Sequence, residues 1–269
     1  MGNALISRRG GNAKAKEPTN WTFLQAISAN GTFNAQANTW YRVYVYGKSG
    51  NGGTFTGGGS GVIAGRGGCG GGGAGGYAES KLYFKAATSV PVTVNTALSS
   101  FGSYLSATAG TNGGSVPGSE PIYGGFGAGG AAGTGTGGNV VNQTGGAGGD
   151  GGANVSGGVP FDGAAGGNTG GTGGLKGNYT SGGGGGGGGG RLRGNKYIGV
   201  MGSAAGFGGN GTSKNGYGNP GGSVPNWNET SPPTLYGGGG GAGSGSVTVD
   251  GVSPGGTGSA GLIIIERGV

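Results

Sequence analysis

The chain has no histidine and a single cysteine, Cys69, in 269 residues. Without histidine it lacks the side chain that most often serves as general base and metal ligand near neutral pH. One cysteine excludes a disulfide framework within the chain. Only 9% of the residues are charged, which removes disorder driven by charge repulsion. Only 32% are hydrophobic, too few for a conventional core throughout. No apolar stretch reaches membrane-spanning length, so no membrane insertion is expected. No helix-length periodic pattern is present either. The net charge of +7 is spread thinly, with the body from 101 to 190 slightly acidic. Nucleic-acid partners are not expected, because they call for dense Lys/Arg on one face.

What the chain has is glycine, 84 residues of it. The densest body runs from about Gly124 to Gly245 and includes an unbroken run from Gly182 to Gly190. Glycine loses more backbone entropy on ordering than any other residue. Collagen is excluded, since it needs glycine strictly at every third position and abundant proline. The remaining ordered solution is a bundle of polyproline-II-type helices made of glycine. Such a helix has three residues per turn and no internal hydrogen bonds, so its N–H and C=O groups point at neighbours. Neighbouring backbones can meet only where side chains are missing. The opposing reading of the same composition is a flexible linker.

Strand signals cluster on either side of the glycine body. Trp21–Ile27 and Trp40–Tyr46 are rich in aromatic and β-branched residues. In the second, Trp40, Arg42, Tyr44 and Tyr46 share one face, and Tyr41, Val43 and Val45 the other. In Tyr77–Lys85, Ala78, Ser80, Leu82 and Phe84 are expected to face inward, and Tyr77, Glu79, Lys81, Tyr83 and Lys85 outward. Val90–Val94, Ser100–Thr108, Ser246–Asp250 and Leu262–Glu266 complete the set. A run as apolar as Leu262–Ile265 must be buried. The economical arrangement returns it to pair with the N-terminal strands. The expected fold is therefore all-β: a small β-sandwich formed by residues 21–110 and 246–269, with a polyglycine-II bundle inserted over 111–245 and no α-helix of note. Residues 1–20 carry Arg8, Arg9, Lys14 and Lys16 and form an exposed basic leader or docking arm. They show no apolar signal-peptide segment.

The interruptions of the glycine body carry most of its large side chains. They combine aromatics with Asn, Ser and Thr, the composition that protein-binding loops favour. Loops held on a rigid scaffold are where binding usually sits. The candidate binding residues are Asn178, Tyr179, Arg191, Arg193, Lys196, Tyr197, Phe207, Tyr217, Trp227 and Tyr236. The competing role for each aromatic is to cap the end of a bundle. Nothing supports catalysis: G-x-G-x-x-G patterns recur without a strand-to-helix context, and no carboxylate pair stands out, Glu120 with Asp162 included. No enzyme activity, cofactor or metal is expected.

Three stretches carry a resemblance: GGCGGGGAGGYAES at 67–80, SSFGSYLSATAG at 99–110 and GLIIIERG at 261–268. With the long glycine blocks between them, the chain resembles the glycine-rich domains of phage tail-fibre proteins. The nearest functional analogue is the tip adhesin of T-even-type long tail fibres. The resemblance implies a polyglycine-II bundle whose loops select the host receptor, a bacterial surface glycan or surface protein. It also implies attachment to other tail-fibre or baseplate proteins, with residues 1–20 as the candidate arm. The protein would sit on the virion tail, or on a phage-tail-like particle, after synthesis in the host cytoplasm. The alternatives are a purely structural tail or baseplate component and an ice-binding or surface-matrix protein.

Overall fold

A computed structural model describes residues 15–57, 68–118, 126–152, 163–166, 191–192, 235–236, 252–253 and 255–269. These residues are all-β with two five-stranded antiparallel sheets, and no helix occurs among them. The strands form where aromatic and β-branched residues alternate: β1 (Trp21–Ile27), β2 (Gly31–Ala35), β3 (Thr39–Tyr46), β5 (Tyr77–Phe84) and β6 (Thr88–Val94). They are followed by β7 (Leu98–Phe101), β8 (Leu105–Thr108), β10 (Gly135–Thr136), β11 (Val141–Gln143) and β15 (Leu262–Gly268). The first sheet has the order β1-β15-β3-β5-β11 and the second β10-β8-β7-β6-β2. A smaller sheet, β14-β4-β9, joins Val252–Ser253, Phe55–Gly57 and Val116–Gly118. A two-stranded ribbon pairs β12 (Arg191–Leu192) with β13 (Leu235–Tyr236).

The C-terminal strand lies between β1 and β3, with Ile263 opposite Val45 and Ile27, and Ile265 opposite Val43 and Gln25. Leu262, Ile263, Ile264 and Ile265 are all 0% exposed, as the run of apolar residues demands. Between the two large sheets lies one apolar core. It joins Tyr41, Val43, Val45, Ala78, Phe84, Ile263 and Ile265 of the first sheet to Phe33, Val90, Val92, Phe101, Leu105 and Ala107 of the second. Edge-to-face contacts of Phe33 with Tyr41 (5.1 Å) and of Tyr41 with Phe84 (5.8 Å) fill it.

Three expectations need correction. Ser100–Thr108 is not one strand but the hairpin β7–β8. Gly102 turns it with φ of 54°, a left-handed conformation that glycine adopts without penalty. Strands are also not confined to 21–108 and 246–266, because β10 and β11 at 135–143 join the edges of the two sheets. Finally, the face of β5 expected to be outward is buried at its start: Tyr77 is 2% and Glu79 0% exposed. The expected strand at Ser246–Asp250 lies outside the described residues.

Where the strands reach glycine, the pairing continues in another form. Residues 47–53 follow β3 and residues 68–76 precede β5. Gly47, Gly50 and Gly53 donate to the carbonyls of Gly76, Gly73 and Gly70, so bonds fall at every third residue. Gly70, Gly73 and Gly76 donate in turn to Gly114, Thr111 and Thr108, in the segment that leaves β8. Gly68, Gly71 and Ala74 donate to Gly152, Gly149 and Gly146, beyond β11, and accept from Gly127, Gly130 and Gly133, before β10. Segment 68–76 is thus surrounded by four others. A three-residue repeat is the period of a polyproline-II-type chain. The spacing leaves no room for side chains: a Cβ on Gly70, Gly73 or Gly113 would stand 1.9, 2.0 or 1.9 Å from a backbone oxygen. Six segments of this lattice, at 47–53, 68–76, 108–114, 126–134, 145–152 and 255–261, each continue a strand of the sandwich. Much of the expected bundle over 111–245 lies outside the described residues.

Side chains on the lattice surface take over the remaining backbone donors. Asn112 Oδ1 accepts from Asn51 N, Asn51 Oδ1 from Gly258 N, Thr111 Oγ1 from Ala131 N and Asp150 Oδ1 from Gly129 N. Each satisfies an amide that has no other partner among the described residues.

Candidate functional site

Of the ten candidate binding residues, the structure describes the backbone of two. Arg191 in β12 is the cross-strand partner of Tyr236 in β13, next to the pair Leu192 and Leu235. Residues 45 positions apart in the sequence are thereby brought side by side in one ribbon. Asn178, Tyr179, Arg193, Lys196, Tyr197, Phe207, Tyr217 and Trp227 lie outside the described residues, as do residues 1–14 of the leader.

The described titratable groups concentrate on the outer face of the first sheet. Register sets them there: Arg42 lies opposite Glu266 on one side and Lys81 on the other, and Tyr44 opposite Ile264 and Glu79. Arg42 reaches diagonally to Glu79, with Nε donating to Oε1 at 2.7 Å and Nη2 at 2.5 Å from the same oxygen. The other Glu79 oxygen accepts from the Tyr77 hydroxyl at 2.6 Å. Tyr44 donates to Glu266 Oε2 at 2.6 Å, and the Arg42 guanidinium stands 5.3 Å from the Tyr44 ring centre. Tyr44, Tyr46, Tyr77, Leu262 and Ile264 form a second apolar cluster on this same face.

The electrostatics follow from burial. Burial and the hydrogen bond to Glu266 push the Tyr44 phenol well above its ordinary range. Burial works against the charge of Arg42, but Tyr44 and the Glu79 carboxylate outweigh it and hold the guanidinium above its usual value. Each carboxylate accepts from a tyrosine, and Glu79 also pairs with a cation. The arrangement ties three strands together through bonds made within the protein. Sequence reasoning missed this network because alternation assigned Glu79 to solvent. The available signal was Arg42 and Glu79 each sharing a face with tyrosines, in strands that proved to be neighbours.

Cys69 sits in the glycine lattice at 0% exposure, packed with Phe55 and Val116. Burial pushes its thiol up to about 11, so near neutral pH it is a protonated, unreactive group. No group of three or more His, Cys, Asp or Glu that could hold a metal occurs among the described residues. No helix among them is long and apolar enough to cross a membrane.

Among the described residues, two adjoining hollows open at the side of the sandwich. The larger, of about 520 Å³, lies between the edge strands β1 and β2 and is lined by Gln25, Asn34, Gln36, Tyr41 and Arg267 among others. The smaller, of about 320 Å³, adjoins it through Gln36 and Arg267 and includes Lys16 and Trp40. No known family model matches the chain, and no curated protein matches it in sequence.

Proposed function

We propose that the chain is a receptor-binding protein at the tip of a phage tail fibre or a phage-tail-like particle. One observation carries this reading: the glycine-rich segments are bonded to one another at every third residue and continue the sandwich strands. We read these segments as polyglycine-II helices. Such a lattice is stiff because its central segment, 68–76, is bonded to four others and no side chain stands between the bonded backbones. Segments threaded between glycine runs then start from fixed points. The segment 176–236 holds the aromatic, amide and cationic residues suited to binding, including Tyr179, Arg193, Tyr197, Tyr217 and Trp227. The pairing of Arg191 with Tyr236 supports a closed ribbon within that segment. The partner in this reading is a bacterial surface glycan or protein, and residues 1–20 attach the chain to other tail components.

The test replaces residues 176–236 with a short Gly–Ser linker in the particle that carries the chain. Adsorption to host cells is expected to be lost while particle assembly proceeds. Unchanged adsorption refutes the reading. Particles that fail to assemble favour the alternative, a structural tail or baseplate component.

A further inference from the structure

We infer that the cleft between β1 and β2 is a binding site for a short acidic saccharide. The inner face of the first sheet changes character along its strands. Inward-facing positions of the first sheet are apolar from Val45, Ile263 and Ile27 through Val43 and Ile265. At the Ile265 rung on β1, and one step beyond it on β15, the same face turns polar. Gln25 stands opposite Ile265, and Arg267 stands opposite Tyr41. Both side chains are exposed, so the inner face of the sheet opens to solvent at this end. Here they line an opening of about 520 Å³, the size of a small-ligand site.

The chemistry of the lining selects the ligand. Arg267 is exposed, has no ion-pair partner among the described residues, and offers a planar fork of donors. Lys16 adds a second unpaired cation in the adjoining hollow. The buried Tyr41 hydroxyl accepts from Gln36 N at 3.0 Å, and among the described residues its own proton has no acceptor. No aspartate or glutamate lines either hollow. The nearby acidic side chains are engaged elsewhere, Glu266 with Tyr44 and Glu17 with Lys81. The cleft therefore presents surplus donors and positive charge to an anionic acceptor.

The side-chain amides of Gln25, Asn34 and Gln36 and the Thr32 hydroxyl both donate and accept, as sugar hydroxyls require. Leu24, 43% exposed beside them, offers an apolar surface to the C–H face of a pyranose ring. A peptide adding as an extra strand is disfavoured, because the register of β1 slips between Phe23 and Gln25 and breaks the edge ladder. The site uses no residue of 176–236, so it and the proposed receptor segment fail or succeed independently.

The test titrates the full-length protein with three probes: trigalacturonate, maltotriose and a hexaglutamate peptide. Backbone amide shifts at Gln25, Gln36 and Arg267 are the readout. Trigalacturonate is expected to shift them saturably, and maltotriose at least about tenfold more weakly, the worth of one charge-assisted hydrogen bond. Arg267→Gln is expected to weaken trigalacturonate about tenfold, and Arg267→Lys less, with thermal unfolding unchanged because the side chain is exposed. Gln36→Leu serves as a second variant that keeps the backbone bond to Tyr41 and is expected to weaken binding as well. Absence of shifts with trigalacturonate, equal affinity for maltotriose, or equal affinity of the two Arg267 variants and the parent overturns the inference. Shifts with hexaglutamate alone overturn it in favour of an acidic protein partner.

Discussion

Replacing Gly73 by alanine tests whether the glycine lattice holds the molecule together. An added Cβ would stand 2.0 Å from the Ala131 oxygen and 2.5 Å from its carbon, against an ordinary contact that begins near 3.4 Å. Both atoms are backbone, so no rotamer change relieves the clash. Segments 68–76 and 126–134 would have to part by about 1.4 Å. The bonds from Gly130 N to Gly71 O (2.8 Å) and from Gly133 N to Ala74 O (2.9 Å) join those same segments. A displacement of that size breaks both, and each broken buried bond costs about 1–3 kcal/mol. The total is about 2–6 kcal/mol, a large part of the 5–15 kcal/mol by which domains are typically stable. Thermal unfolding followed by circular dichroism is expected to show Tm lowered by about 5 °C or more. Gly31→Ala is the matched control, since nothing lies within 4 Å of its added Cβ. That variant is expected to unfold within a degree or two of the parent. If Gly73→Ala matches the control, the lattice is not what secures these segments, and the rigid support that the proposed function rests on is lost.

Three further outcomes follow from the same structure. Ile264→Ala should cost about 2–5 kcal/mol in denaturant unfolding, because its fully buried side chain belongs to a strand at the interior of the first sheet. Glu79→Gln should cost about 3 kcal/mol in the same assay, because it leaves Arg42 without its nearest counter-charge. Stability should decline on the alkaline side. The folded Cys69 thiol is raised from 9.0 to about 11, so its contribution is complete below about pH 9 and is lost as pH rises towards 11. Tyr44, raised for the same reason, extends the loss to higher pH. Urea unfolding of Cys69→Ala at pH 8 and pH 10.5 should show a smaller drop between the two than the parent shows.

The strands were legible because side-chain alternation is local: the two faces of Thr39–Tyr46 and the buried apolar run at Leu262–Ile265 follow from residue type and a period of two. The return of that run to the N-terminal strands was legible too, since so apolar a segment has few places to be buried. The ribbon pairing Arg191 with Tyr236 was not, because the glycine-rich sequence between them sets no register. Nor was the cleft: Gln25 and Arg267 are unremarkable polar residues until the pairing of β1 with β15 and of β15 with β3 places them at the open end of the sheet's inner face. Glu79 looked solvent-facing because alternation tells two faces apart without saying which is covered. Composition by itself determined that, if the glycine segments order, their backbones must meet directly, since glycine leaves nothing else to pack. Only the tertiary structure decided which segments meet. A glycine segment carries no side chain to recognise its neighbour, so its place is set by the strand to which it is joined.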